Sequence, residues 1–207
     1  MRKPATFLVS ILLVGCSSTD PNLAKNGSFA RNLKHWLVPG WKSSASWTAS
    51  VDDRVGVLAV TEEMFSAKHG GRTGDIAAAR QCIPVAPGVH YDVSGHAFVP
   101  SNQTEGGYAV ITVVWWKNRR CTVQSVDSGV PSDDTLVIQK VTGKVERAGK
   151  WQYVALCGFI APPEARAAEI SLDAVNTSMS LGGRFSAYFD DISFQPHTKE
   201  CTFLETY

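Results

Sequence analysis

A jelly-roll β-sandwich, all-β and built of two packed sheets, is the fold this 207-residue sequence predicts. Three observations point to it. Short runs rich in Val, Ile, Phe, Tyr and Trp recur along the body of the chain, set apart by Gly, Pro, Asn, Ser and Asp. No convincing stretch has the periodicity of a long amphipathic helix. Several runs alternate apolar with polar residues, as a strand with one buried face requires.

Eight runs qualify as strands. SASWTAS (44–50) and VGVLAV (55–60) come first. Residues 61–79 read less clearly, as a short helix or a long loop. ARQCIPV (79–85) follows. In YDVSGHAFV (91–99), Tyr91, Val93, Gly95 and Ala97 share one face, while Asp92, Ser94 and His96 share a wet one. In YAVITVVWW (108–116), Ile111, Val113 and Trp115 oppose Thr112, Val114 and Trp116. WQYVALCGFI (151–160) is the sixth run. In AEISLDAV (168–175), Ile170 and Leu172 point inward, and Glu169, Ser171 and Asp173 point out. AYFDDISF (187–194) closes the series.

The chain opens MRKPATFLVSILLVGC. Arg2 and Lys3 precede an apolar run of about half the ~20 residues a membrane-spanning helix needs. That is a secretory signal rather than a stable span. LVGC resembles the bacterial lipobox, which implies a signal peptide over 1–15 and lipid on Cys16. Ser17 rather than Asp follows the cysteine, which implies the outer membrane in a cell that has one. SSTDPN supplies a short tether, so 16–21 reads as lipidated cysteine plus tether, 22–195 as the domain and 196–207 as a C-terminal tail. The lipid would hold an otherwise soluble module at a surface.

Losing Arg2 and Lys3 leaves a mature chain near neutrality. No basic block argues for nucleic acid. Cys82, Cys121, Cys157 and Cys201 remain, an even number that favours disulfides in an exported protein. Spacing leaves all three connectivities open. The absence of C-x-x-C, H-E-x-x-H and G-x-S-x-G from the sequence argues against a zinc ribbon, a zinc protease and an α/β-hydrolase. His90 and His96 lie too far apart along one strand to share a metal.

Four segments resemble, in order, the galactose-binding-like carbohydrate-binding modules of families 4, 9 and 22. NLAKNGSFARNLKHW resembles their N-G-x-F-E opening. RQCIPVAPGVHYDVSGHAFV resembles their Q-x-V-x-V-x-P-G-x-x-Y strand pair. GKWQYVALCGFIAPPEARAAEISL and AYFDDISF resemble a W-x-x-V segment and a closing F-D-D-V-S-L strand. The resemblance implies sheets ordered 1-8-3-6 and 2-7-4-5. With 79–85 as the third strand and 151–160 as the sixth, it implies a Cys82–Cys157 bridge and leaves Cys121 to pair with Cys201. It also implies a structural Ca²⁺ between the N-terminal segment and the closing strand, held by Asp190 and by backbone oxygens of Asn26 and Gly27. Ala30 stands where the family has Glu, so one strong ligand of that site is missing.

Asp190 and Asp191 adjoin in a strand and are expected to point to opposite faces, which suits a structural role better than a catalytic pair flanking one glycosidic bond. Trp36, Trp47 and Trp151 match core positions of the family. Trp116 and Trp41 are the candidates for exposure. A glycan surface needs a flat ring beside polar groups, and Trp116, His96, Asp92 and Thr112 form the candidate patch. The expected function is a membrane-anchored, non-catalytic module that binds a glycan. The alternative is an envelope or secretion-system lipoprotein that uses the same sandwich to hold a protein partner. An enzyme ranks below both.

Overall fold

The computed structural model describes residues 21–38, 43–63, 79–121, 135–140, 144–146, 149–178 and 183–197. The strands are β1 (Ser43–Val51), β2 (Arg54–Glu63), β3 (Ala79–Pro84), β4 (His90–Phe98), β5 (Gly107–Trp116), β6 (Thr135–Lys140), β7 (Trp151–Ile160), β8 (Ala167–Asn176) and β9 (Arg184–Pro196). They form a five-stranded sheet, β1-β2-β9-β4-β7, and a four-stranded sheet, β3-β8-β5-β6. All the pairings are antiparallel.

The core fills the space between the sheets. Alternation places Leu58 and Val60 of β2, Val93 and Ala97 of β4, and Phe185, Phe189 and Phe194 of β9 against Ile111, Val113 and Trp115 of β5 and Ile170 and Leu172 of β8. Tyr91 stacks on Phe194 with ring centroids 5.0 Å apart, and Trp115 packs on Phe159 at 5.6 Å. The Tyr91 hydroxyl accepts the Ala86 N–H at 2.9 Å, so a buried polar atom is satisfied. Trp36 is buried, as expected. Trp47 is 41% exposed, because its strand lies at the sheet edge, although its Nε1 donates to the Phe29 carbonyl.

The implied sheet order holds, displaced by one strand. Counting from β2, the two sheets read 1-8-3-6 and 2-7-4-5. The strand 44–50 is an added edge outside that core. Residues 135–140, passed over in the sequence, supply the fifth core strand. Cys82 therefore lies on the second core strand, in the opposite sheet from Cys157 on β7. The expected Cys82–Cys157 pairing is wrong for this reason, and with it the reason for joining Cys121 to Cys201. Cys82 is bonded to Cys121, which ties the edge strand β3 to the turn after β5. Cys157 is also in a disulfide. Cys201, Cys16 and Trp41 lie outside the described residues.

Peptide mapping of the oxidised protein is expected to yield Cys82 joined to Cys121 and no free thiol at Cys157. The bridge closes a loop with a sequence separation of 39 residues. Replacing both Cys82 and Cys121 by Ala should lower stability by about 3–4 kcal/mol on chain-entropy grounds, read from denaturant unfolding. A Cys82–Cys157 peptide would overturn the topology above.

Candidate functional site

Each sheet has one face turned away from the core, and both carry chemistry. On the four-stranded sheet, β8 and β5 pair so that Glu169 lies beside Val114, Ser171 beside Thr112 and Asp173 beside Val110. β3 adds Cys82 beside Glu169 and Arg80 beside Ser171. Alternation puts these side chains on the outer face, yet Glu169, Ser171 and Thr112 are buried. Arg80 reaches Glu169 at 3.4 Å, and the Thr112 hydroxyl donates to Asp173 at 3.4 Å. Burial pushes the Glu169 carboxyl up, and Arg80 partly opposes it. Arg80 Nε and Trp116 Nε1 are buried donors without a hydrogen-bond partner among the described residues. This face is a floor of hydroxyls, carboxylates and a guanidinium. β5 places an aromatic side chain at each end of it, Tyr108 and Trp116, roughly 26 Å apart along the strand.

Trp116 is not the open ring expected from the sequence. It is 6% exposed, packed with Ala167 and Val114 against the Cys82–Cys121 bridge. The expected patch also divides. Thr112 and Trp116 lie on β5, whereas Asp92 and His96 lie on β4 in the other sheet. The same one-strand displacement explains the error, since it had put β4 and β5 side by side. Asp92 is buried, with Oδ1 accepting the Gly158 N–H at 2.8 Å and the His197 Nδ1–H at 2.7 Å, so it serves the backbone and a neighbouring ring.

On the five-stranded sheet, the outer face gathers Phe98, Trp151, Tyr153 and Tyr188 around a charge cluster. Phe98 meets Trp151 at 5.4 Å and Tyr188 at 6.1 Å, and His96 meets Tyr153 at 5.4 Å. Trp151 is thus on this outer face, not in the core. The Arg54 guanidinium lies 5.0 Å from the Trp151 ring centre. Its Nη1 donates to both Asp190 (2.9 Å) and Asp191. Opposite faces were expected for those two carboxylates, and a β-bulge prevents it. Ser94 pairs with Ser193 and His96 with Asp190, so Gly95 stands opposite both Asp191 and Ile192. Asp191 takes φ 53° and turns its carboxylate toward the same cation as Asp190.

Burial pushes the Asp190 carboxyl up against the pull of Arg54. Burial first, and then Arg54, lower the basicity of His96, whose Nδ1 is 3.6 Å from Asp191. Sequence reading missed Arg54. Its only signal was a cation at the end of an acidic turn, VDDR.

The atoms expected to hold calcium all carry bonds within the chain. The Gly27 carbonyl accepts the Ile192 N–H at 3.0 Å, and the Asn26 carbonyl accepts from Phe29 N and Trp36 Nε1. Asp190 Oδ1 accepts the Asp191 N–H at 2.8 Å, and Oδ2 holds Arg54. Among the described residues no cluster of three or more His, Cys, Asp or Glu is placed to take a metal ion. The Arg54 guanidinium is the cation that the two carboxylates share.

Solved structures of low sequence identity share this architecture. The chain aligns with the family-22 and catalytic modules of Clostridium thermocellum endo-1,4-beta-D-xylanase 10B, complexed with xylohexaose, at 16% identity and TM-score 0.52, covering 87% of this chain but 29% of that one. It aligns with the family-22 xylan-binding domain of Paenibacillus barcinonensis Xyn10C at 14% identity and TM-score 0.51, covering 83% of this chain and 92% of that one. The fold is the two-sheet all-β sandwich of these carbohydrate-binding modules. The C-terminal family-22 module of the C. thermocellum enzyme also shares it, at 13% identity and TM-score 0.50. No family profile and no curated protein matches the chain. Identity this low shows the fold alone.

Asp190 is 8% exposed at its side chain and Asp191 51%, so the two are expected to differ on mutation. Asp190→Ala removes the acceptor of a backbone N–H and strands Arg54, which should cost about 2–4 kcal/mol. Asp191→Ala should cost under about 1 kcal/mol, as an exposed ion pair does. Arg54→Ala should destabilise in the manner of Asp190→Ala. EDTA should leave the melting temperature of the wild type unchanged, and a fall of several degrees would restore the calcium reading.

Proposed function

We propose that the protein is a surface-anchored, non-catalytic module that binds a glycan along the outer face of its four-stranded sheet. The observation that carries this reading is the polar floor of Arg80, Glu169, Ser171, Thr112 and Asp173. A sheet face that buries hydroxyls and carboxylates on the side away from the core gains no apolar contact from them. Of these, Arg80 and Asp173 are partly exposed and can bond sugar hydroxyls, while the buried Glu169 and Thr112 hold them in place. A floor spanning the length of β5 suits an oligosaccharide chain better than a single sugar. The carbohydrate-binding-module fold, shared with a xylan-binding domain and with a module crystallised beside xylohexaose, supports the same class of ligand.

Affinity electrophoresis against soluble polysaccharides, xylan among them, tests it. The wild type should be retarded by at least one. Glu169→Gln and Thr112→Val should weaken that retardation at least tenfold while melting within a few degrees of wild type. Tyr153→Ala, on the opposite sheet, should leave it intact. If no polysaccharide retards the wild type, or if only Tyr153→Ala matters, the four-stranded face is not a glycan site. The protein-partner reading, which draws on the aromatic surface of the five-stranded sheet, then takes its place.

Anchoring is part of the proposal and rests on the sequence LVGC. Mass spectrometry of the membrane-extracted protein should find a mature N-terminus at Cys16 carrying lipid, and Cys16→Ala should leave the membrane fraction or remain unprocessed. An unmodified Cys16 in mature protein would refute it.

A further inference from the structure

We propose that His90 and His197 form a binding site for a divalent transition-metal cation of the Zn²⁺ and Cu²⁺ class, where β4, β7 and the end of β9 meet. The site is separate from the glycan face and from the position where calcium was expected.

The backbone brings the two histidines together. The His197 N–H donates to the His90 carbonyl at 2.8 Å, and the preceding pair is Tyr91 with Pro196. His90 and His197 are thus cross-strand neighbours, the relation in which side chains meet. Their ring centroids are 6.4 Å apart at an interplanar angle of 42°. Both residues are exposed, so the rings are open to solvent.

The hydrogen bonds then fix which nitrogen is free. His90 Nδ1 is 2.9 Å from the Gly158 carbonyl, which can only accept, so Nδ1 carries the proton. His197 Nδ1 is 2.7 Å from the buried Asp92 carboxylate and donates to it for the same reason. In the neutral imidazole the lone pair of each ring is therefore on Nε2. Metal-binding histidines show this arrangement. The outer N–H is given to a carboxylate or carbonyl, which sets the tautomer and raises the basicity of the ligating nitrogen.

Gly158 is the hub. Its carbonyl orients His90, and its N–H shares Asp92 with His197. It takes φ 66°, and a Cβ there would lie 3.6–3.8 Å from the His197 ring. Two imidazoles on one tetrahedral ion, with metal–nitrogen distances of 2.0–2.1 Å, bring ring centroids to roughly 5 Å. The observed separation of 6.4 Å is about 1 Å wider than that. Imidazole nitrogen with a carboxylate behind it selects Zn²⁺, Cu²⁺ or Ni²⁺ over Ca²⁺ or Mg²⁺. Water completes the shell.

The test is calorimetric titration of the untagged, chelator-treated protein, its disulfides intact, with ZnCl₂, alongside thermal melts with and without the ion. One saturable site and a raised melting temperature are expected. His90→Ala should lose at least tenfold in affinity while melting like wild type without metal, since its ring is on the surface. His197→Ala should lose as much, and Asp92→Asn roughly tenfold to a hundredfold, the usual effect of removing an outer partner. His35→Ala should bind as wild type does. Absence of saturable binding in the wild type overturns the proposal. So does wild-type affinity in the His90→Ala, His197→Ala double variant, because the ion then sits elsewhere.

Discussion

One guanidinium held by two consecutive carboxylates lets the closing strand run where it does. β9 pairs with β2 over residues 184–189 and with β4 over residues 188–196, and its second half also meets the N-terminal segment through Leu23 N to Phe194 O and Ile192 N to Gly27 O. The switch from β2 to the N-terminal segment falls at Asp190 and Asp191. An extra residue there bends the strand and would leave two like charges side by side. Arg54, at the start of β2, offsets their repulsion and fastens β2 to the bend. The N-terminal segment can then come close. A Cβ on Gly27 would lie 2.0 Å from the Ile192 carbonyl oxygen, a distance that excludes any side chain. The junction is closed by backbone contact and an internal cation. Gly56 also passes close to Ala30, where a Cβ would meet its backbone at 2.8 Å.

Much of the architecture was legible because alternation is a local property. Ile111, Val113 and Trp115 face the core and Thr112, Val114 and Trp116 face away, as the pattern of β5 requires, and β8 behaves alike. Strand order is not local. TLVIQK offers only three apolar residues among polar neighbours, too weak a signal to stand as a strand. Passing it over, while counting the edge strand β1 as the first, moved each strand from 55–60 to 108–116 up by one place. That single slip placed Cys82 beside Cys157 and His96 beside Thr112. Each of those four residues had been put on a strand that exists and given the wrong neighbour.

The charge cluster was illegible for another reason. A bulge is set by the register of two strands distant in sequence, and neither DDIS nor SGHA announces it. Without the bulge Asp191 would point away, and Arg54 would read as a solvated turn residue. His90 and His197 were likewise invisible as a pair. Strand periodicity compares residues within one strand, and it set His90 against His96, whereas the partner lies 107 residues on in the sequence.

The second bulge, at Cys157 and Gly158, bears on solubility. β7 is the last strand of its sheet, and a regular last strand presents a free row of N–H and C=O groups to any other chain. Here Tyr91 pairs with Phe159 and Val93 with Leu156, so two residues of β7 stand against one of β4. Gly158, with positive φ, gives its N–H to Asp92 and its carbonyl to His90. A second copy approaching this edge finds a kinked ladder, two groups already taken and imidazoles above it. An edge so occupied is a poor template for strand addition, and the sheet ends there without inviting a copy of itself.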